Sequence, residues 1–118
     1  MLLVEDGHGG ERHFAPPGGL VEPGETPREA AVREVAEECG IAATITDLLG
    51  VYVARVDDFA VFAFLATVEA DAVLSADRTE VFNASWFETE HLPKPRRSIS
   101  VAVLTDAIEG LRGVYREV

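Results

Sequence analysis

Glu34, Glu37 and Glu38 fall at i, i+3 and i+4 in the run REVAEE, residues 33 to 38, a spacing that brings carboxylates to one side of a helix. Like charges so arranged repel by a few tenths of a kcal/mol per pair unless a cation lies between them. Clustered carboxylate oxygens are hard donors suited to Mg²⁺ or Mn²⁺, and Mg²⁺ keeps some water and takes phosphate oxygens as remaining ligands. The bland reading is a solvated helix face, the usual fate of a charge run. Arg33 lies one turn before Glu37, where its fork can fix the orientation of a carboxylate; otherwise it is a surface ion pair worth under about 1 kcal/mol. Gly18, Gly19 and Gly24 precede the run and leave the backbone free to approach a ligand and offer a carbonyl or amide, or else they are plain turn residues.

These groups need a helix to hold them, and the local sequence specifies one. Thr26 can cap it, Pro27 suits the first helical position, and Glu29 completes a capping box with Thr26. Gly40 can take the left-handed conformation that stops the helix after Cys39. Wound at about 100° per residue, Val32, Val35, Ala36 and Cys39 form one stripe, with Glu34, Glu37 and Glu38 nearly opposite.

Elsewhere, Leu2 to Val4 reads as a strand entering a glycine-rich turn, with Arg12 to Ala15 as a return strand. Ile45 to Arg55 and Phe59 to Val68 read as an antiparallel hairpin turning at Asp57 and Asp58, and Ala84 to Phe87 as a short strand. From Ser98, taken as a cap, Val101, Leu104, Ile108 and Leu111 repeat at helical spacing, so this helix should cover the sheet. The expectation is an α+β domain: a mixed, mainly antiparallel sheet with two principal helices. Phe14, Tyr52, Phe59, Phe62, Phe64, Phe82 and Trp86 read chiefly as core, with one of them free to stack on a base. His8, His13 and His91 are scattered and read as surface or turn residues.

At 118 residues the chain suits one domain, residues 1–118. Its 47% hydrophobic content argues against disorder, and its formal charge of −11 argues against duplex nucleic acid or an anionic membrane as partner. The one cysteine, Cys39, reads as a buried structural thiol in a reducing compartment, and no eighteen-residue apolar run or basic leader is present, so a cytoplasmic protein is expected.

Gly19, Glu25, Arg33, Glu34, Val35, Glu37, Glu38, Gly40 and Ile41 stand at the spacing of the Nudix box, and every fixed position agrees, so the chain resembles the Nudix (MutT-like) hydrolases. Phe14 to Gly19 also resembles the family's aromatic-x-x-Pro-Gly-Gly lead-in, and Trp86-Phe87 its late aromatic strand. The resemblance implies the Nudix α/β/α sandwich and Mg²⁺-dependent hydrolysis of a pyrophosphate linkage in a nucleoside diphosphate derivative, such as ADP-ribose, a nucleoside triphosphate or a dinucleoside polyphosphate. It implies Glu37 and Glu38 as metal ligands with the Gly19 carbonyl, and Glu34 as a second-metal ligand or proton acceptor. Arg33 then orients Glu34, Glu25 supports the network, and Gly18, Gly19 and Phe14 meet the substrate.

Glu80 is the candidate metal ligand outside the box, with Glu88, Glu69 and Asp57 as alternatives. Substrate discrimination falls to loops such as Arg55 to Ala60 and Ser75 to Asn83. The strand that usually opens this family is missing before Leu2: either the fold lacks it or it lies in residues preceding Met1, and an absent strand would leave an edge that a second subunit could cover. Two other readings are a non-catalytic nucleotide-sensing module, which would typically have lost a box glutamate, and an acidic scaffold, which would not need Arg33, Gly19 and Gly40 at these spacings.

Overall fold

The structure is a computed structural model and describes residues 1–7 and 10–118; His8 lies outside the described residues. In chain order the elements are β1 (Leu2–Asp6), β2 (His13–Ala15), α1 (Pro27–Cys39), β3 (Thr44–Ala54), β4 (Phe59–Thr67), β5 (Asn83–Trp86), α2 (Ser98–Ile108) and β6 (Val114–Glu117). The α+β class holds, with the strands divided between two three-stranded sheets ordered β2-β1-β5 and β4-β3-β6. β1 pairs antiparallel with both β2 and β5, β3 pairs antiparallel with β4, and β3 runs parallel to β6.

The hairpin forms where β-branched and aromatic residues favour extended backbone, and it turns through Asp58, whose φ of 57° is left-handed and tolerable for aspartate. Two register shifts in β3, at Ile45/Asp47 and Leu48/Gly50, bend it. Gly50 then admits β6: it pairs with Val114, and a side chain there would overlap the Val114 carbonyl.

Two apolar clusters lie against the sheets. Val4, Cys39, Ile41, Val81 and Ala84 join the end of α1 to β1 and β5, while Leu49, Tyr52 and Val103 join α2 to β3. Burial lifts the Cys39 thiol to about 11, with Glu38 adding to it, so at neutral pH it stays protonated, as a structural thiol should.

Several expectations are corrected. β6 was not anticipated. Ser98 is the first residue of α2 and does not cap it; the cap is Arg97, which makes no side-chain capping bond. The buried face of α2 is Ser100, Val103, Leu104 and Asp106, whereas Val101 and Ile108 are 40% and 47% exposed and Leu111 lies beyond the helix. Of the expected stripe only Leu104 is buried, and Val103, Ser100 and Asp106 make up the rest of the inward face. In α1, Ala36 is exposed and Glu38 is buried, so the inward face runs through Ala30, Glu38 and Cys39. Of the aromatics expected in the core, Tyr52 is fully buried, whereas Phe59, Phe62, Phe82 and Trp86 are 40–50% exposed.

One polar cluster ties α2 to the β4-β3-β6 sheet. Asp106 is 2% exposed and accepts from the Tyr52 hydroxyl at 2.9 Å and from Arg116 Nε and Nη2 at 2.6 and 2.8 Å. This bidentate pair satisfies a carboxylate that burial would otherwise make costly. The Arg116 guanidinium, with help from Tyr52, holds Asp106 below the usual carboxylate range. The stabilisation is therefore complete above the unfolded-state value of about 4 and is lost as pH falls through the lower folded-state value. Asp106→Asn should cost about 2–3 kcal/mol in urea unfolding at pH 7. The gap from the parent protein should narrow steadily as unfolding is repeated towards pH 2, and a gap that widened would contradict this account.

Candidate active site

Helix α1 begins as its sequence specifies. The Thr26 hydroxyl accepts the Glu29 amide at 3.1 Å, the Glu29 carboxylate accepts the Thr26 amide at 3.0 Å, and Pro27 takes the first turn. It ends at Gly40 with φ 69°, where a side chain would press on the Ser75 carbonyl at 2.9 Å. Backbone carbonyls left free at that end are taken by a crossing segment: Ser75 N–H donates to the Cys39 carbonyl at 2.8 Å and Asp77 N–H to the Glu38 carbonyl at 3.2 Å. Asp77 closes a turn on Thr79, and its carbonyl accepts the Glu80 amide at 3.0 Å. This sequence of bonds carries Glu80 onto the acidic side of α1.

Arg33 organises that side. Its Nε and Nη2 grip the two Glu25 oxygens at 2.7 and 3.0 Å, and Nη1 donates to Glu34 at 2.9 Å and Glu37 at 3.1 Å. Nη2 also reaches the Leu20 carbonyl at 3.0 Å, which ties the glycine-rich lead-in to the helix. The Glu25 pair keeps Arg33 charged, and Arg33, followed by the Glu22 amide, lowers the proton affinity of Glu25. From the other side the Gly18 amide donates to Glu38 at 2.8 Å. Gly19 packs so closely on the Glu34 carboxylate that an added Cβ would lie 2.6 Å from its Cδ.

The structure thus brings Glu34, Glu37 and Glu80 together, each offering an oxygen within 4.8 Å of the others. Three hard oxygen donors at that separation fit a divalent cation such as Mg²⁺ or Mn²⁺. Glu38 adjoins them but is 6% exposed, and burial, then the charges of Glu34, Asp6 and Glu80, push its carboxyl up to about 7 against the opposing Gly18 bond. Burial, then Glu37 and Glu34, also raises Glu80. Such a cluster of unwilling anions is where a cation gains most.

Other expected residues lie apart. Phe14 sits edge-on to Phe87 at 5.9 Å, and its amide donates to the Pro95 carbonyl. Glu88 joins Glu90 and His91 in a separate, exposed trio whose ligand atoms also lie within 4.8 Å of one another, three residues that are near neighbours along the chain. Asp57 lies in the hairpin turn, and Glu69 in the segment after β4. The sequence reading missed Glu22, 3.6 Å from Arg33 with its amide on Glu25, and Asp6, whose charge reaches Glu38. A carboxylate closing β1, at the register partner of His13, was the available signal for Asp6.

The model of the NUDIX domain family matches residues 1–107. The chain belongs to this family. It is 37% identical over 86 residues to the ADP-ribose pyrophosphatase of Methanocaldococcus jannaschii, a match covering 69% of this chain and 49% of that protein. It is 35% identical over 92 residues to the NAD-capped RNA hydrolase NudC of Vibrio cholerae, covering 76% and 34% respectively. The chain therefore spans half or less of these relatives' lengths. A NUDIX hydrolase from Nitrosomonas europaea shares the fold with a TM-score of 0.84 at 19% identity, over 99% of this chain and 70% of that one.

Arg33→Lys keeps a positive charge but cannot grip Glu25 while also holding Glu34 and Glu37. Circular dichroism should show an unchanged fold, and Mn²⁺ affinity in an EPR titration should fall about 10- to 100-fold. Parent-like affinity would show that the fork does not position the carboxylates.

Proposed function

We propose that the chain is a pyrophosphohydrolase that cleaves the diphosphate linkage of a nucleoside diphosphate derivative, with Mg²⁺ as cofactor and Mn²⁺ able to substitute. The observation that carries this reading is the approach of Glu34, Glu37 and Glu80 to within 4.8 Å around the Arg33 hub. The names of the relatives support the substrate class, since ADP-ribose and the NAD cap share a pyrophosphate joining a nucleoside to a second group. A small nucleotide derivative is the expected partner. Cytoplasmic work accords with the free, buried Cys39 and with the absence, among the described residues, of a helix long and apolar enough to cross a membrane.

In this reading Glu34, Glu37 and Glu80 hold the cation, with Glu38 and the Gly19 carbonyl completing the protein's share. A cation held by these residues would offset their charge and supply Lewis-acid activation of phosphate and water. Arg33 fixes the Glu34 carboxylate so that it is ready to hold a cation or accept a proton, and Glu25 keeps Arg33 in place. Gly18 and Gly19 let the lead-in backbone approach the diphosphate, a contact that any side chain at Gly19 would disturb by displacing Glu34. Positioning and charge neutralisation supply most of the barrier reduction, because phosphoryl chemistry asks little covalent work of the protein.

A nucleotide panel resolved by product, containing ADP-ribose, dinucleoside polyphosphates, nucleoside triphosphates and nucleotide sugars, tests the reading. Turnover should require Mg²⁺ and vanish in EDTA. Glu38→Gln keeps an acceptor for the Gly18 amide, so it should fold normally yet lose at least about 100-fold in kcat. An unchanged rate with full Mg²⁺ dependence would remove Glu38 from the site.

A further inference from the structure

Among the described residues the two sheets end in four edge strands, β2, β5, β4 and β6, and three of these are blunted. β2, β5 and β6 are three or four residues long, the Phe14 amide of β2 is taken by the Pro95 carbonyl, and β6 carries Arg116 and Glu117. Short or charged edges keep unpaired backbone from recruiting another chain. β4 has neither protection. It runs nine residues, Phe59–Thr67, without charge, proline or glycine. Both register shifts in the hairpin put the extra residue in β3, so β4 stays regular.

Among the described residues β4 pairs with β3 alone, and no other backbone hydrogen bond reaches it. Alternate residues of an antiparallel strand turn their N–H and C=O away from the partner. The outer side of β4 is therefore a row of donors and acceptors shaped for one more extended chain.

Charge and side-chain order select a second copy as that chain. At a formal charge of −11 most faces of this protein repel their like, yet residues 59–68 are the longest run in the sequence without Asp, Glu, Lys or Arg. An antiparallel pairing of β4 with itself, centred on Ala63, sets Phe62 opposite Phe64 of the second copy, Val61 opposite Leu65 and Ala60 opposite Ala66. Val61 and Leu65 already pack on the Leu49, Tyr52 and Val103 cluster, so that core would continue across the junction. Phe62, now 48% exposed, would gain an aromatic neighbour on the opposite face.

We propose that β4 is a self-association edge, through which two copies join their β4-β3-β6 sheets into one continuous sheet about a two-fold axis. Both free β4 edges are consumed in the pair, so assembly closes at two.

Sedimentation velocity of the 118-residue chain, from about 1 µM to about 1 mM, tests this. A dimer dissociating at about 10–100 µM is expected, because a strand edge is a small interface. Phe62→Lys should leave the circular dichroism spectrum unchanged and raise the dissociation constant at least about tenfold. Register is tested at the exposed Ala60 and Ala66. The double variant Ala60→Lys/Ala66→Glu sets opposite charges across the junction twice, and should dimerise about tenfold more tightly than Ala60→Lys/Ala66→Lys, although the latter carries less net negative charge. A monomer throughout, growth beyond two copies, a dimer indifferent to Phe62→Lys, or equal affinity of the two double variants would overturn the proposal. No nucleotide or metal enters these measurements, so their outcome is independent of the hydrolase reading.

Discussion

Arg33 stands among Glu22, Glu25, Glu34 and Glu37, with nitrogen–oxygen distances from 2.7 to 3.6 Å. One guanidinium cannot neutralise four carboxylates, and Glu38 and Glu80 crowd the same region with raised proton affinity. Arg33 instead distributes them. Glu25 receives the bidentate grip, while Glu34 and Glu37 each receive a single bond that fixes an oxygen and leaves the others free. The result is an oriented deficit of positive charge, which a hard cation fits better than a second arginine would. The lead-in loop depends on the same residue through the Leu20 carbonyl, so the backbone beside the site and the carboxylates within it share one support.

The box was legible because its residues act locally. Thr26, Pro27, Glu29 and Gly40 specify the helix within one turn of each end, and Arg33 meets Glu37 at i,i+4 and Glu25 from just before the helix. Glu80 was harder to place, because it lies far along the chain and is positioned by backbone bonds from Ser75 and Asp77 to the carbonyls of α1, which leave no compositional trace. Glu38 shows the limit of helical winding: angle alone placed it with Glu34 and Glu37, but it is buried next to Cys39, which packs against Val4 and Ala84.

The hairpin and the short strands followed from β-branched runs and turn residues. The C-terminal region was less legible. Asp106 lies at an inward position between Val103 and Ala107, and a charged residue there makes no sense until Tyr52 and Arg116 are beside it. Both partners come from other elements. The segment from Val114 to Glu117 is short and carries no polar–apolar alternation, and what makes it a strand is its pairing with β3 in the space left by Gly50. Phe59 and Phe62 read as core by type, but β4 is an edge strand and leaves them partly in solvent.

The direction of α1 adds something its side chains do not. Glu34, Glu37 and Glu38 occupy its C-terminal half, no basic residue stands in its last turn, and aligned peptide dipoles place roughly half a negative charge at that end. The polypeptide thereby lends its own polarity to the attraction of a cation. Moved to the first turn, the same glutamates would make a sturdier helix and a poorer cradle, so the domain accepts a less comfortable helix where a divalent ion can relieve it.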